Sequence, residues 1–393
     1  MSTPSPADRP IYLDAHATTR VDPRVLEAML PYLGEEAGNA ASRNHAYGWR
    51  AEEAVESARE RVAAAVGGAA KEIVFTSGAT ESDNLAVLGA AEANRDRGDH
   101  VITTVIEHPA VLDPCRQLER RGFRVTYLPV GPGGLVDPEA VRRALDDRTI
   151  LVSVMLANNE VGTVQPVAEI ARLVKAESGA LVHTDAVQAL GKLPVRAQED
   201  GLDLVSVSAH KIHGPKGVGA LWVRRRPRVR LRPLLFGGGH ERGLRSGTLN
   251  VPGIVGLGAA AEIAEAEREA EAPRLAALRD RLLSRLEADL SGVHLNGHAE
   301  KRLPNNLNVS FEDVEAEDLL QEIPGVACST GAACSSASLE PSHVIQALGL
   351  GSARAQTSLR FGLHRFTTEE EIDRAADAVV RGVKRLRAAR RIA

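Results

Sequence analysis

Three short stretches carry residue types whose chemistries complement one another. Phe75-Thr76-Ser77-Gly78-Ala79-Thr80-Glu81 reads as a strand that ends in a tight turn and opens a helix. Gly78 permits the turn, and Thr80 offers a hydroxyl and a backbone N–H at the helix start. Helix N-termini bind phosphate through such N–H groups and the helix dipole. Taken alone, the stretch is equally a plain N-cap with Glu81 in the first turn. Ser206-Val207-Ser208-Ala209-His210-Lys211 closes another strand, ahead of the glycine-rich His213-Gly214-Pro215-Lys216-Gly217-Val218-Gly219. Partial burial there would lower the pKa of Lys211 and ready its amine to form a Schiff base. The plain alternative is a surface lysine in a turn. Val182-His183-Thr184-Asp185-Ala186-Val187-Gln188 puts Asp185 at the end of a third strand. A carboxylate there can pair with a protonated pyridine nitrogen and keep the ring an electron sink. Gln188 could reach the ring's phenolic oxygen, while Asp185 could also be a simple helix N-cap.

Together these signals form a phosphate cradle, an aspartate and a lysine in that order along the chain. That arrangement is expected for pyridoxal 5'-phosphate in an aminotransferase-like α/β fold. Glu107-His108-Pro109-Ala110 follows a further strand, and His108 could stack on the ring and shuttle protons. Cys328-Ser329-Thr330-Gly331-Ala332-Ala333-Cys334-Ser335-Ser336-Ala337-Ser338 is a run of small residues that cannot pack a core. A mobile loop is expected there, with Cys334 accessible and therefore reactive. Cys115 lies within a helical pattern and is expected to be buried and inert. Cys328, at the start of the loop, is left open. Cys328 and Cys334 are six positions apart, which matches no familiar zinc spacing.

The elements that must position these residues follow from the apolar patterning. Six β-rich runs stand out: Glu72 to Thr76, His100 to Thr104, Arg124 to Val130, Thr149 to Ala157, Ala180 to Thr184 and Asp203 to Ser208. Helical spacing lies between several of them, as in Val111 to Arg121 and Val167 to Glu177, and Asp137-Pro138 reads as an N-cap followed by proline. The alternation implies a mostly parallel sheet with helices on both faces, and ligands at the carboxyl ends of its strands. From about Ile254 the texture changes to one long helix over 258–290, two weaker strands and a final helix from Thr368. The expected division is a large cofactor-binding domain over 16–262 and a smaller α+β domain formed by 1–15 and 263–393.

Composition sets further bounds. The 393 residues carry a net charge of −4, with 44% hydrophobic and 25% charged residues, as in an ordinary globular protein. That balance argues against a nucleic-acid binder. Basic runs at Arg224 to Arg232 and Lys384 to Arg391 are either solvated element ends or a dock for an acidic partner protein. No apolar stretch reaches the roughly 18–20 residues of a membrane helix. Three cysteines are too few for a disulfide framework, and the cytoplasm is the expected compartment.

The stretches FTSGATESDN, IEHPAVLD, NNEVGTVQP, HTDAVQALGK, SAHKIHGPKGVGALWVRRRPRVR, GGGHERGLRSGT, AACSSASLEPSHVIQALG and SLRFGLHRFTTEEEID closely resemble the cysteine desulfurases of iron–sulfur cluster assembly. These are class V aminotransferase enzymes of PLP fold type I, and the resemblance runs over nearly the whole chain. It implies that Lys211 holds pyridoxal 5'-phosphate covalently. Ala79, Thr80, Ser208 and His210 would bind the phosphate end, Asp185 the pyridine nitrogen, and His108 the ring face. Asn159 and Gln188 would contact the ring oxygen and substrate region. Arg360 would clamp the carboxylate of L-cysteine, with Asn39 and Asn159 beside it. Thr248 would reach the phosphate of the partner subunit, which implies an obligate homodimer. Lys211 or His108 would move the Cα proton. Cys334 would take the substrate sulfur as a persulfide, release alanine, and pass the sulfur to a cluster scaffold or sulfur carrier. Cys334 could also serve as a transient iron–sulfur ligand; no other metal site is implied. Asn39-Ala40-Ala41-Ser42 departs from the family's usual Asn-Pro, and Cys328 stands where a serine is usual, as a space-filler or a second sulfur-handling thiol. A selenocysteine lyase or another class V enzyme is the alternative.

Overall fold

In the computed structural model, which describes residues 9–330 and 342–390, the chain enters through a short strand, β1 (Ile11–Tyr12). Cys334 lies outside the described residues. Seven strands then form the central sheet: β2 (Ile73–Thr76), β3 (His100–Thr104), β4 (Arg124–Leu128), β5 (Thr149–Ser153), β6 (Leu181–Asp185), β7 (Leu204–Ser208) and β8 (Gly219–Val223). Their spatial order is β2-β8-β7-β6-β5-β3-β4, and β8 runs antiparallel to both its neighbours. Most of these strands are apolar and buried, as a sheet covered on both faces requires.

Six of the seven coincide with the runs expected from the sequence, with their ends shifted. β8 is not among those runs, because Gly219-Ala220 continues a glycine-rich stretch and reads as loop. Its glycine has a packing reason. A Cβ on Gly219 would lie 2.7 Å from the Val207 carbonyl oxygen and 2.8 Å from Gly78. The strand therefore presses directly against the turn that follows β2.

The helix Val251–Asp289 has 39 residues and spans about 58 Å at 1.5 Å per residue. Its residues Val251 to Ala264 pack into the core beneath the central sheet, with Val55, Val62, Phe75 and Val207. Leu275 to Leu286 pack into a second core. There they meet the antiparallel sheet of β9 (Val293–Leu295), β10 (Asn306–Phe311) and β12 (Ser358–Gly362), together with the helix Glu369–Arg390. Ile11 and Leu13 join this second core, and β1 pairs in parallel with β11 (Val326–Ala327). Among the described residues no helix is long and apolar enough to cross a membrane.

The segment after β8 returns to the central sheet through a buried ion pair. Arg59 donates to both carboxylate oxygens of Glu241, at 2.7 and 2.8 Å, and the Phe75 N–H donates to Glu241 at 2.8 Å. The Arg59 guanidinium also stacks 4.6 Å from the Phe75 ring centre. These contacts hold Glu241 and Arg242 at φ +47° and +57°, a region that L-residues enter at a cost.

Candidate active site

The carboxyl ends of β2, β3, β5, β6 and β7 converge on a cavity of about 530 Å³. At the end of β2, Gly78 sits at φ +151°, where a side chain would be strained, and the helix Ala79–Asn84 begins immediately after it. Ala79 and Thr80 line the cavity at that helix start. Glu81 ties the turn together: it accepts from the Ser77 N–H at 2.7 Å and from Arg245 Nε at 2.9 Å. Burial pushes the Glu81 carboxyl up, but Arg245 and Ser77 outweigh it and hold the group below its usual range. Across the cavity, Ser208 Oγ is buried without a hydrogen-bond partner. An orphaned hydroxyl opposite a helix N-terminus suits a phosphate group, which supplies the missing acceptor.

Asp185 ends β6 with its Oδ1 accepting the Val187 N–H at 2.9 Å. Burial pushes this carboxyl up to about 6, opposed by the Val187 hydrogen bond and by the Lys211 charge. A carboxylate in that position is completed by a cationic partner, and a protonated pyridine nitrogen meets the need. Behind it lies a polar layer. His183 bonds Ser153 on β5 at 2.8 Å and Ser206 on β7 at 3.0 Å, and its Nε2 stands 3.6 Å from Asp83. Burial, and then the charge of Asp185, push Asp83 well above the usual carboxyl range.

Lys211 closes the single 3-10 turn Ala209–Lys211 after β7. Its Nζ donates to the carbonyl oxygens of His16 and, at 2.8 Å, Ala17. Lys192 donates to the Lys211 carbonyl at 2.6 Å, and its ammonium is pushed down to about 7 by burial and then by the Lys211 charge. His210 is pushed down to about 4, by burial and then by Lys211. His108 caps the helix Pro109–Arg120, with Nδ1 accepting the Ala110 N–H at 3.1 Å. Burial, Lys211 and His343 push it down to about 4, so the ring is neutral. A neutral ring whose Nδ1 accepts must carry its proton on Nε2. His108 therefore has an N–H left to donate.

Of the residues expected at the site, Ala79, Thr80, His108, Asn159, Asp185, Gln188, Ser208, His210 and Lys211 line this one cavity. Gln188 is there with its amide committed, because Oε1 meets His16 Nδ1 at 2.9 Å and Nε2 donates to the His16 carbonyl at 3.1 Å. Arg360 does not line it. It is fully buried, donating to Asp14 Oδ1 and the Asn159 carbonyl, both at 3.0 Å. Asn39 is exposed and elsewhere, with its side chain accepting the Ala41 N–H at 2.9 Å. Thr248 is exposed and outside its own chain's cavity. Cys115 is fully buried and Cys328 half-buried, and burial pushes both thiols up to about 12. Among the described residues no group of His, Cys, Asp and Glu is placed to hold a metal ion.

Sequence reasoning missed His16. It stands in Asp14-Ala15-His16-Ala17-Thr18-Thr19, before the first helix and away from any strand end of the central sheet. Nothing in that spacing marks it, since the cavity receives it through long-range pairing of this stretch with β11 and with Gly362 of β12.

The aminotransferase class-V family matches residues 11–375. A cysteine desulfurase IscS of Anaeromyxobacter sp. (strain Fw109-5) is 60% identical over 378 residues, which cover 96% of this chain and 93% of that protein. A solved NifS-like protein superposes with a TM-score of 0.89 at 43% identity, covering 95% of this chain and 98% of its own. A solved SspA in complex with cysteine superposes with a TM-score of 0.80 at 36% identity, covering 91% and 99%.

Proposed function

The chain belongs to the aminotransferase class-V family and is a pyridoxal phosphate-dependent cysteine desulfurase; from that premise we propose that Lys211, Asp185, His108 and Cys334 carry the reaction. The observation that carries this reading is the meeting of Lys211, Asp185, His108 and the orphaned Ser208 hydroxyl in one cavity. Pyridoxal phosphate, when bound, supplies a cationic ring that draws electrons from the reacting carbons of the substrate. Asp185 would hold that charge in place, and Ser208, Thr80 and the helix start at Ala79 would hold the phosphate. His108, whose available nitrogen bears a proton, would stack on the ring and donate. Proton removal at the substrate Cα then falls to Lys211. Cys334 attacks the substrate sulfur, an S–S bond forms as the C–S bond breaks, and the electrons left on carbon take up a proton as alanine departs.

The flanks of the Cys334 segment support its access to the cavity. Ser329 exchanges both backbone hydrogen bonds with Arg360 of β12, at 2.6 and 3.3 Å. Ser342 donates to Glu160, and His343 Nε2 lies 3.2 Å from the Glu107 carbonyl. Cys334 is five residue steps along the chain from Ser329, and five steps span at most about 18 Å.

We take the working form to be a homodimer in which Thr248 serves the neighbouring cavity. Leu235 and Phe236, on the same segment, are 45% and 83% exposed, as suits a surface that a second copy covers. The sulfur then goes to an acceptor protein, a cluster scaffold or a sulfur carrier, in the cytoplasm. The cleft lined by Lys71, Arg225, Arg228 and Arg232 suits an acidic acceptor. Residues 16–262 would form the cofactor-binding unit and the remainder the smaller one. Mass spectrometry after brief exposure to L-cysteine tests the proposal. A gain of about 32 Da on the peptide carrying Cys334 is expected. Alanine release with no such gain would refute the role of Cys334.

A further inference from the structure

His16 is 1% exposed, lines the active-site cavity, and has an Nε2 with no hydrogen-bond partner. Its protonation follows from its neighbour. Gln188 Nε2 donates to the His16 carbonyl, so the Gln188 atom facing the ring at 2.9 Å is Oε1, an acceptor. His16 Nδ1 must then carry the proton, and in a neutral ring Nε2 keeps a bare lone pair. Burial, then the nearby Arg360, and further Lys192 and Lys211, hold the imidazole well below its ordinary pKa against the Gln188 bond. The ring position is also fixed. A Cβ on Gly362 would lie 2.7 Å from His16 Cδ2, and Gly362 is two residues along β12 from Arg360. A buried acceptor without a donor is a costly arrangement unless a ligand completes it.

Two of the cavity's imidazoles thus have opposite sense: His108 offers an N–H and His16 a lone pair. We infer that His16 binds substrate, its Nε2 accepting an N–H from the α-amino group of the incoming cysteine. This rests on the desulfurase reading, and it adds a contact that orients the amine toward Lys211, whose Nζ already touches the His16 carbonyl. The thiol is the other donor that cysteine offers, and the test separates the two.

The experiment uses holoenzyme carrying His16→Leu or His16→Gln, with L-cysteine as substrate and 3-mercaptopropionate, which lacks the amino group, as a competitive probe. Removing one neutral hydrogen bond to a ligand corresponds to roughly tenfold in affinity. His16→Leu should raise KM for cysteine about tenfold while kcat changes little. Its inhibition by 3-mercaptopropionate should be unchanged, and so should its visible cofactor absorbance. His16→Gln, which keeps a carbonyl acceptor, should recover most of the loss. Equal weakening of cysteine and 3-mercaptopropionate, or no weakening of either, would overturn the assignment. Should His16→Leu not take up cofactor, the wild-type ring decides. The ¹⁵N resonance of its Nε2, identified by its absence in His16→Gln, should move on adding S-methyl-L-cysteine and not on adding 3-mercaptopropionate. An unmoved resonance would refute the contact. Failure of the desulfurase reading itself would show separately, as wild-type protein that releases no alanine.

Discussion

Asp185→Asn should make the apoprotein more stable and the holoenzyme less so. Burial pushes the Asp185 carboxyl from its usual 3.8 up to about 6. At 1.36 kcal/mol per pH unit, keeping it ionised costs the folded apoprotein about 3 kcal/mol. The folded pKa is raised, so this cost is absent below 3.8, grows as pH rises toward 6, and is complete above it. Asparagine keeps an oxygen for the Val187 N–H, at 2.9 Å in the wild type, and removes the charge. Urea unfolding of the apoprotein at pH 8 should therefore show a gain of up to about 3 kcal/mol, shrinking toward zero near pH 4. A cationic ring nitrogen offsets the same cost in the wild type. The variant should accordingly hold pyridoxal phosphate up to about a hundredfold more weakly in equilibrium dialysis. An apoprotein variant no more stable than wild type at pH 8, or a variant that binds cofactor equally well, would refute the reasoning.

Three further outcomes are expected. His108→Phe keeps an aromatic face and loses the N–H, so kcat should fall about a hundredfold with the cofactor absorbance retained; an undiminished rate would remove His108 from the chemistry. Glu241→Leu takes from buried Arg59 its two-point carboxylate partner, leaving it Glu56 and the Ile73 carbonyl, and should cost about 3 kcal/mol in urea unfolding, while adding Arg59→Met should recover most of it. At pH 8, iodoacetamide should leave Cys115 and Cys328 unmodified in the native protein, because burial pushes both thiols up to about 12; peptide mapping that finds label on either would contradict this.

The central sheet was legible because its strands are short apolar runs between turns, and the residues at their carboxyl ends are positioned by that regularity. Asp185 ends β6, and Lys211, His108 and the Gly78 turn follow β7, β3 and β2, so knowing the strands is nearly knowing the cavity. β8 escaped although Ala220 to Val223 is a continuous apolar run, because the glycine-rich stretch from His213 to Gly219 leads into it without a break. His16 escaped for a different reason: it is placed by long-range contacts, the pairing of β1 with β11 and of Asp14 with Gly362, over 300 residues apart in sequence. The commitment of Gln188 to His16, and of Arg360 to Asp14, depends on the same long-range contacts and could not be read from local pattern.

Those contacts also bear on how the polypeptide matures. The first described stretch supplies the carbonyl groups that hold the Lys211 amine, yet several of its own anchors are among the last parts to be synthesised. Ile11 waits for Val326, His16 packs on Gly362, and Asp22 pairs with Arg365 at 2.7 Å. A nascent chain still attached to the ribosome can assemble the central sheet well before these partners emerge, because translation delivers only about 5–20 residues per second. A prematurely terminated product would keep the strand-end residues that would hold the vitamin, but would lack the late partners that fix His16 beside them.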